Sequence, residues 1–189
     1  MVLVVGLGNP GKSYESHRHN VGFMAVDALR DSLGAPDFRD KFSAEFSKGD
    51  ASAILKPLTY MNRSGDSVLP CAAFLKVEPK SIVVVHDELD LPFGDVRLKV
   101  GGGHAGHNGL RSIISRLGAP DFVRVRIGIG RPPPEFPGQV ADFVLSPFNP
   151  SERAELPDVI ARAVTAIRDV VEKGVDVAMN VHNTKPKKS

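Results

Sequence analysis

Five polar side chains in this chain fall where apolar runs give way to turns: Asn9, His19, Asn62, Asp87 and Asn108. In an open α/β sheet, ligands gather at the carboxyl ends of the strands. A histidine, a carboxylate and three carboxamides meeting there would make a hydrolytic site. The carboxylate fixes the imidazole tautomer, the imidazole activates a water, and the amide N–H groups steady an oxyanion. Each residue also has a plainer use taken singly. Asn108 is placed to cap a helix, His19 to sit at the surface or cap, and Asp87 to close a turn. Their joint placement is what favours chemistry.

Two other nucleotide-type patterns compete. Gly6-Leu7-Gly8-Asn9-Pro10-Gly11-Lys12-Ser13 satisfies the P-loop spacing and, through Gly6, Gly8 and Gly11, the dinucleotide spacing. Downstream, Ile82-Val83-Val84-Val85-His86-Asp87-Glu88 resembles a magnesium-holding strand of an NTPase. A true P-loop runs straight into a helix whose N-terminus faces the phosphates. Here Lys12 to Asn20 is largely polar and helical periodicity begins only at Val21, while Pro10 removes an N–H from the loop. The dinucleotide reading fails the same test, and its ribose-binding acid is missing, since Asp27 and Asp31 fall on the helix. A metal site built from His17, His19, His104, His107 and Asp87 has no confirming spacing. No Gly-x-Ser-x-Gly elbow occurs.

The elements that must position these residues follow from periodicity. Residues 2–8 read as a buried strand ending in a glycine turn. Val21, Met24, Ala25, Ala28, Leu29 and Leu33 mark a helix with Asn20 as its cap. Residues 42–48 and 52–56 read as strands joined near Gly49-Asp50. A helix lies between Met61 and Lys76, with Pro70 near its first turn, and residues 81–86 form a buried strand. In Val96-Arg97-Leu98-Lys99-Val100 and Val123-Arg124-Val125-Arg126-Ile127 the basic residues share one face and the apolar ones the other. Between them, Leu110, Ile113, Ile114 and Leu117 mark a helix. Residues 130–138 read as a loop. A capping signal at Asn149-Pro150-Ser151-Glu152 opens a final segment that Pro157 should interrupt and that ends near Gly174.

At 189 residues, with 42% hydrophobic and 24% charged content, the chain fits one well-buried soluble domain. No apolar run is long enough to cross a bilayer, and Met1-Val2-Leu3-Val4-Val5 reads as a first strand, so no membrane association is expected. The single cysteine, Cys71, fits a reducing, cytoplasmic setting and reads as a small buried side chain. The net charge of +2 hides an asymmetry. From Arg97 to Pro134 the bases Arg97, Lys99, Arg111, Arg116, Arg124, Arg126 and Arg131 face one acid, Asp121. Such a stripe suits a polyanion.

Longer segments carry a resemblance. Val5-Gly6-Leu7-Gly8-Asn9-Pro10-Gly11 with Tyr14 and Arg18-His19-Asn20, then Met61-Asn62 with Ser64-Gly65, then His86-Asp87-Glu88-Leu89-Asp90-Leu91-Pro92, then Gly101 to Leu110 with Arg126-Ile127-Gly128-Ile129-Gly130, resemble the bacterial peptidyl-tRNA hydrolases in order and over nearly the whole chain. The resemblance implies an α/β fold, a single domain with a central mixed twisted sheet flanked by helices. It places this domain over residues 1–183, followed by a basic C-terminal tail over 184–189. It further implies a monomeric cytoplasmic esterase, without metal or other cofactor, that cuts the ester between a peptide and the 3′ ribose of peptidyl-tRNA. By the same resemblance His19 is the catalytic base and Asp87 its orienting partner. Asn9, Asn62 and Asn108 bind the peptidyl end and position water or carbonyl, with Met61, Tyr14 and His107 lining the site. Lys99 and Arg126 grip the 5′ phosphate of the tRNA. Two positions depart from the family's usual residues: His17 stands where a threonine is common, and Tyr60 where an apolar aromatic is. A non-catalytic RNA-binding protein on the same fold is the main rival, and it would not need the His19, Asp87 and asparagine set.

Overall fold

The computed structural model describes residues 1–184; the basic tail expected over 184–189 therefore lies, from Lys185 onward, outside the described residues. Seven strands form one sheet in the order β2-β3-β4-β1-β5-β7-β6. They are β1 (Val2–Gly6), β2 (Arg39–Lys41), β3 (Ala44–Lys48), β4 (Ser52–Pro57), β5 (Ile82–Glu88), β6 (Val96–Val100) and β7 (Val123–Gly128). β4, β1, β5 and β7 run parallel, while β2, β3 and β6 are antiparallel to their neighbours. The sheet is therefore mixed, with the parallel strands at its centre.

The central strands are apolar throughout because both faces are covered. On one face Val4, Val83, Val85, Val125 and Ile127 pack against α1 (Val21–Leu33) and α5 (Pro150–Lys173). On the other, Leu3, Val5, Ile82 and Val84 meet α2 (Gly65–Leu75) and α3 (Asn108–Leu117). The approach of α1 to the sheet depends on Gly22. A Cβ there would lie 2.6 Å from the Leu7 carbonyl oxygen, so only glycine lets the helix start sit on the ends of β1 and β5. That close docking brings the turn before α1, and His19 with it, to the carboxyl edge of the sheet.

Several sequence expectations need correction. β3 begins at Ala44, not 42; Phe42 and Ser43 turn with positive φ, and β2 precedes them. Pro70 lies inside α2 rather than in its first turn. Pro157 does not interrupt α5, which runs unbroken from Pro150 to Lys173, because the proline is on the solvent side, where water can satisfy the freed carbonyl. Two short helices, α4 (Val140–Val144) and α6 (Val175–His182), had no clear periodic signal. Asn20 occupies the N-cap position of α1 without capping it. Its amide is used across the loop: Asn20 Nδ2 donates to the Asn9 carbonyl and Asn20 Oδ1 accepts from the Asn9 N–H, each at 2.9 Å.

At the outer edge of β6, the Asn183 side chain pairs with the backbone of Leu98. Its Oδ1 accepts from the Leu98 N–H at 2.8 Å, and its Nδ2 donates to the Leu98 carbonyl at 2.9 Å. This is a two-bond ladder made by one amide.

Candidate active site

The loop from Leu7 to His17 contains no helix, and α1 starts only at Val21. The glycine octapeptide thus lacks the helix N-terminus that either nucleotide pattern requires. The turn instead holds Asn9 in place, with its backbone bonded to the Asn20 amide. The Asn9 Oδ1 accepts from the Met61 N–H at 2.8 Å, which leaves the amide nitrogen as the end free for a ligand.

His19 sits on a single 3-10 turn, Arg18–Asn20. Arg18 anchors that turn from below. Its guanidinium donates to the Pro147 carbonyl at 2.7 Å and pairs with Glu152 at 2.8 Å, while lying 4.1 Å over the Phe143 ring. Phe143 belongs to α4, whose Val140, Ala141 and Val144 form one wall of the adjoining cavity. The turn carrying His19 is therefore tied to that wall by a buried cation.

Asp87, near the end of β5, is 3% exposed and receives two imidazoles. His19 Nδ1 lies 2.7 Å from Oδ2, and His107 Nε2 lies 2.8 Å from Oδ1. The hydrogen bonds fix both tautomers. His107, not Asn108, is the N-cap of α3. Its Nδ1 accepts from the Gly109 and Leu110 N–H groups at 3.2 and 3.3 Å, so its proton is on Nε2. The ionised carboxylate can only accept, so His19 carries its proton on Nδ1 and turns the Nε2 lone pair away from Asp87.

Burial alone would push the Asp87 carboxyl up, but the facing His19 and His107 outweigh it and hold it well below the usual carboxylate range. Burial likewise opposes charging of His19, yet the Asp87 charge and hydrogen bond prevail and raise its pKa above 6.5. Behind them, burial and the neighbouring His107 push His86 down to about 3. Its Nδ1 donates to the Asp87 carbonyl at 2.7 Å, so it serves as a neutral packing ring, edge-on to His107 at 5.0 Å. The ligand atoms of His19, Asp87 and His107 lie within 4.8 Å of one another, a spacing a metal could use. As placed, each facing ring nitrogen is occupied as a proton donor to the carboxylate.

A cavity of about 350 Å³ opens beside this network. His19, Asp87, His107 and Asn108 line it together with Lys99, Arg126 and Arg131 and the acids Glu88 and Asp90. The two basic strand faces expected from alternation do coincide: Arg97 opposes Arg126, and Lys99 opposes Arg124. Arg124 differs from the rest in being 2% exposed. Its guanidinium donates to the carbonyls of Gly102, at 2.6 Å, Gly103 and Pro120, which shapes the glycine loop leading to His107. Alternation could reveal its face but not its burial.

The remaining expected residues fall on the other side of His19. Met61 is buried, Asn62 is exposed on the turn after β4, and Tyr14 is half-buried against His17. Neither Asn62 nor Tyr14 lines the cavity that holds Asp87. Asn9 lines a second depression with Asn20 and Lys12. Sequence reading gave Arg18 and His86 no role of their own, and it placed Arg124 in a stripe suited to a polyanion, whereas the structure buries that guanidinium on backbone carbonyls. Adjacency to His19 and Asp87 was the only hint for Arg18 and His86.

An open α/β sheet with a tautomer-fixed histidine–aspartate pair at its carboxyl edge, beside a cavity where Arg126 and Arg131 pair with Glu88 and Asp90, is an arrangement that supports general-base hydrolysis. Residues 3–189 match the family model described as peptidyl-tRNA hydrolase. A peptidyl-tRNA hydrolase of Sorangium cellulosum is 61% identical over 99% of this chain and 86% of its own length. One from Mycolicibacterium gilvum is 50% identical over 95% of each. The crystal structure of peptidyl-tRNA hydrolase from Acinetobacter baumannii superposes with a TM-score of 0.87 at 42% identity, covering 95% of this chain and 93% of that one. A peptidyl-tRNA hydrolase complexed with N-propanol gives 0.90 at 40% identity, over 100% and 97%. The chain belongs to the peptidyl-tRNA hydrolase family.

Proposed function

We propose that this protein hydrolyses the ester between the peptide and the 3′ ribose of peptidyl-tRNA by direct attack of water. One observation carries the mechanism: the hydrogen bonds around Asp87 leave His19 neutral at Nε2 with its lone pair available. His19 Nε2 takes a proton from water as its oxygen bonds to the ester carbonyl carbon. The carbonyl electrons move onto oxygen, and the Asp87 charge stabilises the imidazolium formed. Collapse of the tetrahedral intermediate breaks the bond to the ribose oxygen, which regains the proton from His19. Peptide acid and free tRNA leave.

Asn108 is the better placed donor to the oxyanion, since it lines the cavity with His19 and Asp87 while Asn62 does not. Asn9, with its Oδ1 occupied by Met61, offers its N–H groups to the peptide carbonyl. Asn62, Met61 and Tyr14 flank that side, and His107 holds Asp87 from the other.

Sheet order supports a division of the substrate. In sheet order, the turn after β4 carries Met61 and Asn62, β1 leads to Asn9, β5 carries Asp87 one residue before its end, and β7 and β6 carry Arg126 and, opposite Arg124 toward the amino end of β7, Lys99. With neighbouring strands about 4.8 Å apart, peptide-binding and phosphate-binding groups lie on opposite sides of the base. The tRNA phosphate therefore falls to Lys99 and Arg126. Cys71 is buried and its thiol is pushed up to about 12 by burial, which leaves it poorly suited to act as a nucleophile.

Among the described residues no helix is long and apolar enough to cross a membrane. We extend the reading to a monomer working in the cytoplasm, where its substrate is made and its one thiol stays reduced. The test is hydrolysis of N-acetyl-aminoacyl-tRNA. His19→Ala should lower kcat by roughly 10²–10⁴-fold. Turnover near the wild-type rate would remove His19 as the base.

A further inference from the structure

Tyr60, directly before Met61, has a strained backbone. Its φ of 63° and ψ of 158° lie in a region that is essentially restricted to glycine. The surroundings fix this backbone from both sides. The Tyr60 carbonyl accepts from the Arg63 N–H at 3.1 Å, and the following Met61 N–H is held by Asn9 Oδ1 at 2.8 Å. The strain directs a large ring outward: Tyr60 is 52% exposed. It is not left at random in solvent. Its ring meets Tyr14 edge-on at 6.2 Å, and Tyr14 meets His17 edge-on at 5.5 Å. Burial and the adjacent His19 push the His17 pKa down, so this ring favours its neutral form.

Three rings thus form a neutral shelf between the turn carrying His19 and the turn gripped by Asn9. The shelf lies toward β4, whereas Lys99, Arg126 and Arg131 gather beyond β5. An ester placed at His19 with its phosphates toward the cations must direct its acyl part toward the rings. We infer that Tyr60, backed by Tyr14 and His17, is a specificity-determining subsite for the side chain of the amino acid esterified to the tRNA, and that it favours planar apolar side chains. The inference rests on the proposed role of His19 in ester hydrolysis.

The test compares N-acetyl-phenylalanyl-tRNA with N-acetyl-glycyl-tRNA as substrates of the wild type, Tyr60→Gly and Tyr60→Phe. Wild type should favour the phenylalanyl ester about two- to tenfold in kcat/KM, the range of a single aromatic pair. Tyr60→Gly suits the backbone while removing the ring, so it should fold without a drop in melting temperature and bring the ratio close to one. Tyr60→Phe should restore the preference. An unchanged ratio in Tyr60→Gly, or no preference in the wild type, overturns the subsite and leaves the hydrolase reading standing. Failure of the wild type to hydrolyse either ester removes both.

Discussion

Replacing Asp87 by asparagine tests the tautomer argument more sharply than deleting a side chain. An amide offers one acceptor oxygen and one donor nitrogen where the carboxylate offers two acceptors. His107 cannot adapt, because its Nδ1 already accepts from Gly109 and Leu110, so its Nε2–H must face the amide oxygen. The amide nitrogen is then turned toward His19 Nδ1. His19 meets it by moving its proton to Nε2, which removes the lone pair needed for water. Returning His19 to the productive tautomer sets its Nδ1–H against the amide N–H and leaves a buried donor unsatisfied, a cost of about 1–3 kcal/mol, or roughly one to two decades in rate at about 1.4 kcal/mol per decade. The imidazolium formed during attack also loses a counter-charge worth up to about 4 kcal/mol at a separation of ~4 Å. Together these bracket a fall in kcat between about 10-fold and about 10⁵-fold, and the expected value is about 10³-fold with a much smaller change in KM, within the range for loss of a general base. Steady-state hydrolysis of N-acetyl-aminoacyl-tRNA measures it. The double variant Asp87→Asn/His107→Ala frees the amide to turn its oxygen to His19 and should recover part of the lost kcat. If Asp87→Asn stays within about threefold of wild type, or if the double variant is simply worse, the hydrogen-bond logic is refuted.

Because the base must be neutral and its pKa is raised, the acid limb of kcat/KM against pH should lie above 6.5, and it should move down in Asp87→Asn; a limb at or below 6.5 in the wild type contradicts the ion pair. For stability the sign is fixed likewise. The contribution of His19 is full below 6.5 and fades as pH rises through its higher folded value, whereas that of Asp87 is present above 3.8 and lost as pH falls toward its depressed value; melting temperatures against pH follow both. Lys99→Ala and Arg126→Ala should each raise KM for full-length substrate, spare a short 3′-end mimic, and reduce the salt dependence of binding by about one counterion. Equal effects on both substrates would argue against a phosphate contact. Arg18→Met leaves Glu152 without its buried partner and should cost about 3–5 kcal/mol in urea unfolding, unlike a surface pair.

The sheet was legible because its central strands are continuous apolar runs, and the basic faces because alternation survives in Val96–Val100 and Val123–Gly128. The candidate site residues could be named from their positions at strand ends, and the pairing of His19 with Asp87 from the family resemblance, but not the second imidazole on Asp87. That His107 caps α3 and also holds Asp87 depends on two nitrogens of one ring reaching separate elements, and no local pattern records that. Pro157 misled for the opposite reason. Its effect depends on which side of α5 meets water, a tertiary fact. Tyr60 carried no backbone signal at all, since its positive φ is imposed by Asn9 and Arg63 rather than by its own preference.

The amide of Asn183 on β6 has a consequence for the behaviour of the protein in concentrated solution. An unpaired outer strand invites a passing chain to add itself, a common first step in precipitation. At Leu98 both backbone groups are already taken by one side chain, and Arg97 and Lys99 on either side bring charge to any chain that approaches. Asn183→Ala should therefore leave catalysis intact yet make the protein aggregate sooner on concentration or gentle warming.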